Sequence, residues 1–135
     1  MRRDSADVGR GAAFGDIDND GDIDIVLNNL GQKATVLRND GGNRRNWLGI
    51  ETIGKKSNRD GIGCRVKVVS ASGPTQYFIV NPAIGYLSAS DKRLVVGLGT
   101  DSVAKLVEIQ WPSGIVQKFE NVKAGQMLKA NEPAP

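Results

Sequence analysis

The sequence predicts an all-β fold: a hairpin folded around an acidic loop, then a β-sandwich or barrel-like module of roughly seven strands. Three observations lead there. Apolar and polar residues alternate with a period of two in several short segments. Turn signals recur every 8 to 12 residues or so, helped by 17 Gly and 5 Pro. No window sustains the 3.6-residue periodicity of an amphipathic helix.

In chain order, Met1 to Arg10 is polar and reads as a frayed arm, a cut end of something longer or the start of a small free-standing product. Gly11 to Gly15 leads into the acidic loop, and Ile23-Asp-Ile-Val-Leu27 leaves it as a strand. Asn28-Asn-Leu-Gly31 is a turn signal, and Ala34 to Arg38 is the next strand. Asn39-Asp-Gly-Gly-Asn43 is the best internal boundary, so residues 1–42 form one unit and 43–131 another. The second unit opens with a strand from Trp47 to Ile53. Cys64, Val66 and Val68 then alternate with Arg65 and Lys67, a strand with one buried face. Ala71-Ser-Gly-Pro74 turns the chain into Thr75–Val80. Arg93–Leu98 and Ala104–Trp111 are further strands, and the second places Val107, Ile109 and Trp111 on one face. Pro112-Ser-Gly114 is a hairpin turn into Ile115–Phe119, and Gln126–Lys129 is a last strand. Residues 132–135, polar and Pro-rich, are expected to be loose.

Composition excludes several chemistries. There is no His, which removes Ser-His-Asp and Cys-His catalysis and the usual zinc ligand sets. The single cysteine, Cys64, cannot form a disulfide within the chain and reads as a buried apolar residue. No segment is long and apolar enough to span a membrane, and no signal peptide opens the chain. The formal charge is +3, but five of the 15 acidic residues lie between positions 16 and 24, so the remainder carries a surplus of +8.

That acidic segment, Asp16-Ile-Asp-Asn-Asp-Gly-Asp-Ile-Asp24, carries the clearest chemistry. A hard cation such as calcium takes six to eight oxygens at about 2.3–2.6 Å. Asp16, Asp18, Asp20 and Asp24 occupy loop positions 1, 3, 5 and 9, and Asp22 at position 7 would offer its main-chain carbonyl. Gly21 allows the sharp turn at position 6. An EF-hand would need a bidentate Glu at position 12 and flanking helices, but Leu27 stands there between strand-like segments. Consecutive loop carboxylates cannot face each other across a cleft as a glycosidase pair must. The expectation is therefore a structural Ca2+ site, set against a plain solvated acidic turn.

Gly11-Ala-Ala-Phe-Gly-Asp-Ile-Asp-Asn-Asp-Gly-Asp-Ile-Asp-Ile-Val26 resembles an FG-GAP/VCBS repeat, the calcium-loop hairpin of integrin-type β-propellers. Asn46–Ile50, Lys56–Val66, Gly85–Ser88, Asp91–Gly99 and Val107–Gly114 together resemble an ASPIC/UnbV domain. Ala89, Val95–Val96 and Asn81–Pro82 depart from the pattern expected for that domain. The resemblance implies a non-catalytic accessory domain that is extracellular, periplasmic or on the cell surface, with adhesion or protein association as its role. A lone propeller hairpin cannot cover its own apolar faces, so it needs the downstream unit, upstream blades or a second copy of the chain.

Other residues carry weaker readings. Asn58, Arg59 and Asp60 precede Gly61-Ile-Gly63 and either cap that loop or meet a ligand. Tyr86 and Ser88 could hydrogen-bond a sugar, the basis of a carbohydrate-binding alternative. Arg44–Arg45 and Lys55–Asp60 could present a basic surface to an anionic polymer. Aromatic residues, 5% of the chain, are too few for a base-stacking platform, so no specific nucleic acid is expected. The protein or glycan partner is not specified by these residues.

Overall fold

A computed structural model describes residues 8–134. Ten strands and one 3-10 turn follow in order: β1 Gly9–Gly15, β2 Asp24–Asn29, β3 Thr35–Leu37, the turn Gly42–Arg44, β4 Asn46–Ile53, β5 Arg65–Ser70, β6 Thr75–Ile79, β7 Leu94–Gly99, β8 Val103–Gln110, β9 Val116–Lys123 and β10 Gln126–Asn131. They form three sheets, ordered β1-β2-β3, β10-β4-β7 and β6-β5-β8-β9. None closes into a barrel, so of the two architectures expected for the downstream unit the sandwich is the one observed. Its seven strands, β4 to β10, match the number expected.

The alternation seen in the sequence builds its core. Val66 and Val68 of β5 and Val107 and Ile109 of β8 are at most 1% exposed, and they meet Leu48 and Ile50 of β4, Val96 and Leu98 of β7 and Ala130 of β10. Trp111 closes one end, 2% exposed, its indole Nε1 donating to Gln117 Oε1 at 3.1 Å. Cys64 is fully buried in the same cluster. Burial pushes its thiol pKa up to about 11, with a smaller push from Glu132.

Two features of this module differ from expectation. β10 pairs with β4 in parallel, Gln126 opposite Leu48 through Asn131 opposite Ile53, and runs two residues beyond the predicted end. The segment expected to be a loose tail is fastened at Glu132, which is 0% exposed. One of its carboxylate oxygens accepts from the backbone N–H groups of Lys55, Lys56 and Ser57 at 2.7–2.8 Å. The other accepts from the hydroxyls of Ser57 and Ser113. Three successive amides make an anion-holding concavity, and a buried carboxylate is tolerated only when so satisfied. Burial pushes the Glu132 pKa upward, but the bonds from Ser113, Ser57 and Lys55 outweigh it and bring it down to about 2. The Lys55–Ser57 stretch that read as a basic surface thus spends its backbone on the chain's own carboxylate.

The first sheet is the predicted hairpin plus β3. β1 and β2 pair antiparallel, with Gly15 opposite Asp24 and Phe14 opposite Ile25, so the acidic loop joins their ends. β1 begins at Gly9, inside the expected arm; residues 1–7 of that arm lie outside the described residues. The free edge of β1 is met by the segment before β7: Asp91 N donates to Phe14 O at 2.8 Å, and Phe14 N donates to Ser90 Oγ at 3.1 Å. Such cover blunts an edge that could otherwise pair with another chain. The hairpin thereby rests on the downstream module, one of the three supports expected for it. No helix among the described residues is long and apolar enough to cross a membrane.

Candidate metal centre

The loop between β1 and β2 is wound by local hydrogen bonds. Asn19 and Gly21 adopt left-handed backbone, with φ of 62° and 95°. Asparagine and glycine tolerate that region best. The reversal lets Asp16 accept from Asp20 N at 3.0 Å and from Gly21 N at 3.1 Å. Asp24 accepts from Ile17 N at 3.0 Å and Asn39 N at 2.9 Å.

These bonds turn the carboxylates of Asp16, Asp18 and Asp24 toward one another, with one oxygen of each within 4.8 Å of the others. Asp16 and Asp24 are 2% and 1% exposed, whereas Asp18 opens to solvent. Neither buried carboxylate forms an ion pair among the described residues; Asp18 has a long contact of 3.9 Å with Arg38. Without a cation, partial burial and then the neighbouring Asp20 and Asp24 raise the pKa of Asp18, with Arg38 opposing. Buried, unneutralised charge of one sign is costly, and a divalent cation would remove that cost.

Of the five predicted ligands, the structure brings together three. Asp20 is turned aside, its Oδ1 accepting from Asp22 N at 3.1 Å in an Asx-type turn. The Asp22 carboxylate faces away and accepts from Gly42 N at 3.0 Å, leaving only the main chain for the role expected of it. Asp22 Oδ1 is buried and has no hydrogen-bond partner among the described residues. The donor set is all oxygen, as a hard cation requires.

Sequence reasoning missed the residues that hold the loop from outside. Arg93 donates from Nη2 to Asp16 O at 2.7 Å and from Nη1 to Asn19 Oδ1 at 2.6 Å, and is itself clamped by Asp91 through Nε at 2.7 Å. The Asp91 hydrogen bond raises the Arg93 pKa, only partly offset by burial. Trp47 of β4 lies directly over Gly21: a Cβ there would fall within the indole ring. The Asn39–Asn43 stretch, expected to be a mere boundary, wraps the loop, since Asn39 N binds Asp24, Gly42 N binds Asp22 and Asn43 Nδ2 binds Asp20 O. The Gly-Gly pair beside Asn was its visible trace, as Gly42 sits where a Cβ would press on Asp22 and Asn39.

Residues 54–135, well over half the chain, match the family described as ASPIC and UnbV. The chain belongs to the ASPIC and UnbV family. It is also similar to "Cartilage acidic protein 1" of Homo sapiens, 29% identical over 122 residues, covering 88% of this chain and 18% of that protein. The proteins of the same name from Xenopus tropicalis and Mus musculus are each 28% identical over 109 residues, covering 78% of this chain and 16% and 17% of theirs. The chain thus spans less than a fifth of the length of these relatives. The ASPIC and UnbV span takes in β5 to β10 and Glu132 and begins after the acidic loop.

Within that span lie the weaker candidate residues. Asn58 braces its own loop, accepting from Ile62 N at 2.8 Å and donating to Ile62 O at 2.7 Å. Asp60 pairs with Lys92, and Arg59 is exposed. Ser88 donates to Tyr86 O at 2.9 Å, while Tyr86 stands 80% exposed at a loop tip. Asn58 and Ser88 thus direct their polar atoms into their own loops.

Proposed function

We propose that this chain is a calcium-stabilised, non-catalytic association module of a secreted or cell-surface protein. Asp16, Asp18 and Asp24 would hold the ion, with Asp20 and the Asp22 carbonyl available to complete its oxygen shell. The observation that carries this reading is the convergence of three carboxylates within 4.8 Å, two of them buried without an ion-pair partner among the described residues. Arg93 and Trp47 couple the loop to the sandwich, so order gained at the loop is felt beyond it. The non-catalytic reading is supported by how the carboxylates are used: Asp16 and Asp24 are engaged by backbone amides, which fixes them instead of freeing them for proton transfer. The likeness to FG-GAP/VCBS repeats and kinship with an ASPIC and UnbV family support an extracellular setting. Leu30, just past the end of β2, and Val36, in the outer strand β3, are 58% and 59% exposed and offer apolar surface for association.

Thermal unfolding with millimolar calcium and with chelator tests this. A ligand present at about 100 times its Kd adds about 2.7 kcal/mol. The melting temperature should rise with calcium in the wild type and stay put in Asp16→Asn with Asp24→Asn. Identical melting with calcium and with chelator would remove calcium from the account.

A further inference from the structure

The four-stranded sheet turns Val66, Val68, Val107 and Ile109 into the core, so the alternate residues face outward. Register sets Tyr77, Lys67 and Glu108 in one transverse row and Ile79, Arg65 and Gln110 in the next. Together they line an open groove of about 500 Å³. Tyr77 is 74% exposed and Ile79 60%, a large aromatic and a branched aliphatic side by side with little packing duty. Glu108 is answered by Lys118 at 3.1 Å. Arg65 and Lys67 have no carboxylate partner among the described residues, so the charge left over on this face is positive.

We propose that this face binds a linear polysaccharide of uronate sugars. A sugar ring stacks on Tyr77, its carboxylate and its neighbour's are met by Lys67 and Arg65, and Gln110 and Glu108 reach ring hydroxyls. Arginine holds a carboxylate in a planar, two-pronged bond that suits this task. The aromatic ring gives an amphipathic body for a pyranose face and a hydroxyl for its rim. An open sheet suits an extended polymer better than a compact ligand, which needs a pocket enclosing most of its surface. A neutral glycan would leave both cations unused. A single-stranded nucleic acid would want successive aromatics for successive bases, and the outward rows supply one.

The test is calorimetric titration of the full chain with a galacturonate hexamer, the neutral galactose hexamer and a short oligothymidylate. The galacturonate hexamer should bind, and more weakly as NaCl is raised from about 0.05 to about 0.3 M. Tyr77→Ala should weaken it by about tenfold or more, and Arg65→Ser with Lys67→Ser should abolish it. All three side chains point outward, and circular dichroism and unchanged melting would confirm that the variants are folded. Arg44→Ser with Arg45→Ser, which do not line this groove, should bind like wild type. The proposal is overturned by absence of heat with galacturonate, by equal binding in Tyr77→Ala, by binding of the neutral hexamer to the same extent, or by oligothymidylate binding as tightly, which would mean attraction by charge alone.

Discussion

Gly21 is the point where the acidic loop and the sandwich press together, and replacing it with alanine probes both constraints at once. The first is conformational. Gly21 has φ of 95°, and an L-residue in the left-handed half of the map costs roughly 1–2 kcal/mol. The second is steric. The new methyl would lie within the Trp47 indole, a rigid ring that cannot swing aside as a flexible side-chain tip would. Overpacking of this kind costs about 1–3 kcal/mol. Gly21→Ala should therefore destabilise by about 2–5 kcal/mol in urea unfolding, a large share of the total stability of a domain this size. The two parts separate in a double-mutant cycle with Trp47→Ala. In that background the clash is gone and the backbone penalty remains, so Gly21→Ala should cost only about 1–2 kcal/mol, a coupling of about 1–3 kcal/mol. If Gly21→Ala cost the same with and without Trp47, the indole would not lie against the loop and the docking of hairpin on sandwich would be wrong. If it cost under about 0.5 kcal/mol in both backgrounds, the left-handed turn would be wrong as well.

Two further predictions concern groups in the sandwich. Glu132 has a folded pKa of about 2 against an ordinary value of 4.5. A depressed carboxylate pKa means stability that is fully present above 4.5 and lost as pH falls from 4.5 toward 2. Glu132→Gln should melt lower than wild type at neutral pH, with the gap narrowing across that window in thermal scans; curves that stay parallel to pH 2 would refute the assignment. Cys64, with its pKa near 11 and no exposed surface, should resist a thiol-specific chromogenic reagent in the folded protein and react fully in denaturant. Rapid labelling of the native chain would contradict the packing around it.

What was legible in the sequence was whatever is encoded locally. The two-residue alternation of Arg65–Ser70 and of Val103–Gln110 is a direct image of sheets with one wet face, and the Pro112–Gly114 signal marked the turn into β9. The spacing of aspartates gave the place of the acidic loop, and Gly21 its turn. Spacing could not say that Asp20 would turn to cap Asp22 N, because a carboxylate in a tight loop can serve the backbone equally well. Nor could it show Arg93, which reaches Asp16 across 77 residues. The tail was misjudged because Asn-Glu-Pro-Ala-Pro is compositionally that of a free end. What holds it is a cup of amides 75 to 77 residues earlier, and backbone amides leave no trace in composition.

The parallel pairing of β10 with β4 has a bearing on how such a chain comes into being. β4 is made early, yet one of its flanks stays open until its partners 78 positions later, Gln126 opposite Leu48 through Asn131 opposite Ile53, have left the ribosome. Through that interval its unpaired amides and apolar inner face are available to any other strand, including one on a neighbouring nascent chain. Only when Gln126–Asn131 lie down and Glu132 enters its cup is the sheet complete. The last turn of the key is thus a single carboxylate, and a protein truncated just before it would carry nearly all of its core residues and still lack the fastening that holds the final strand in place.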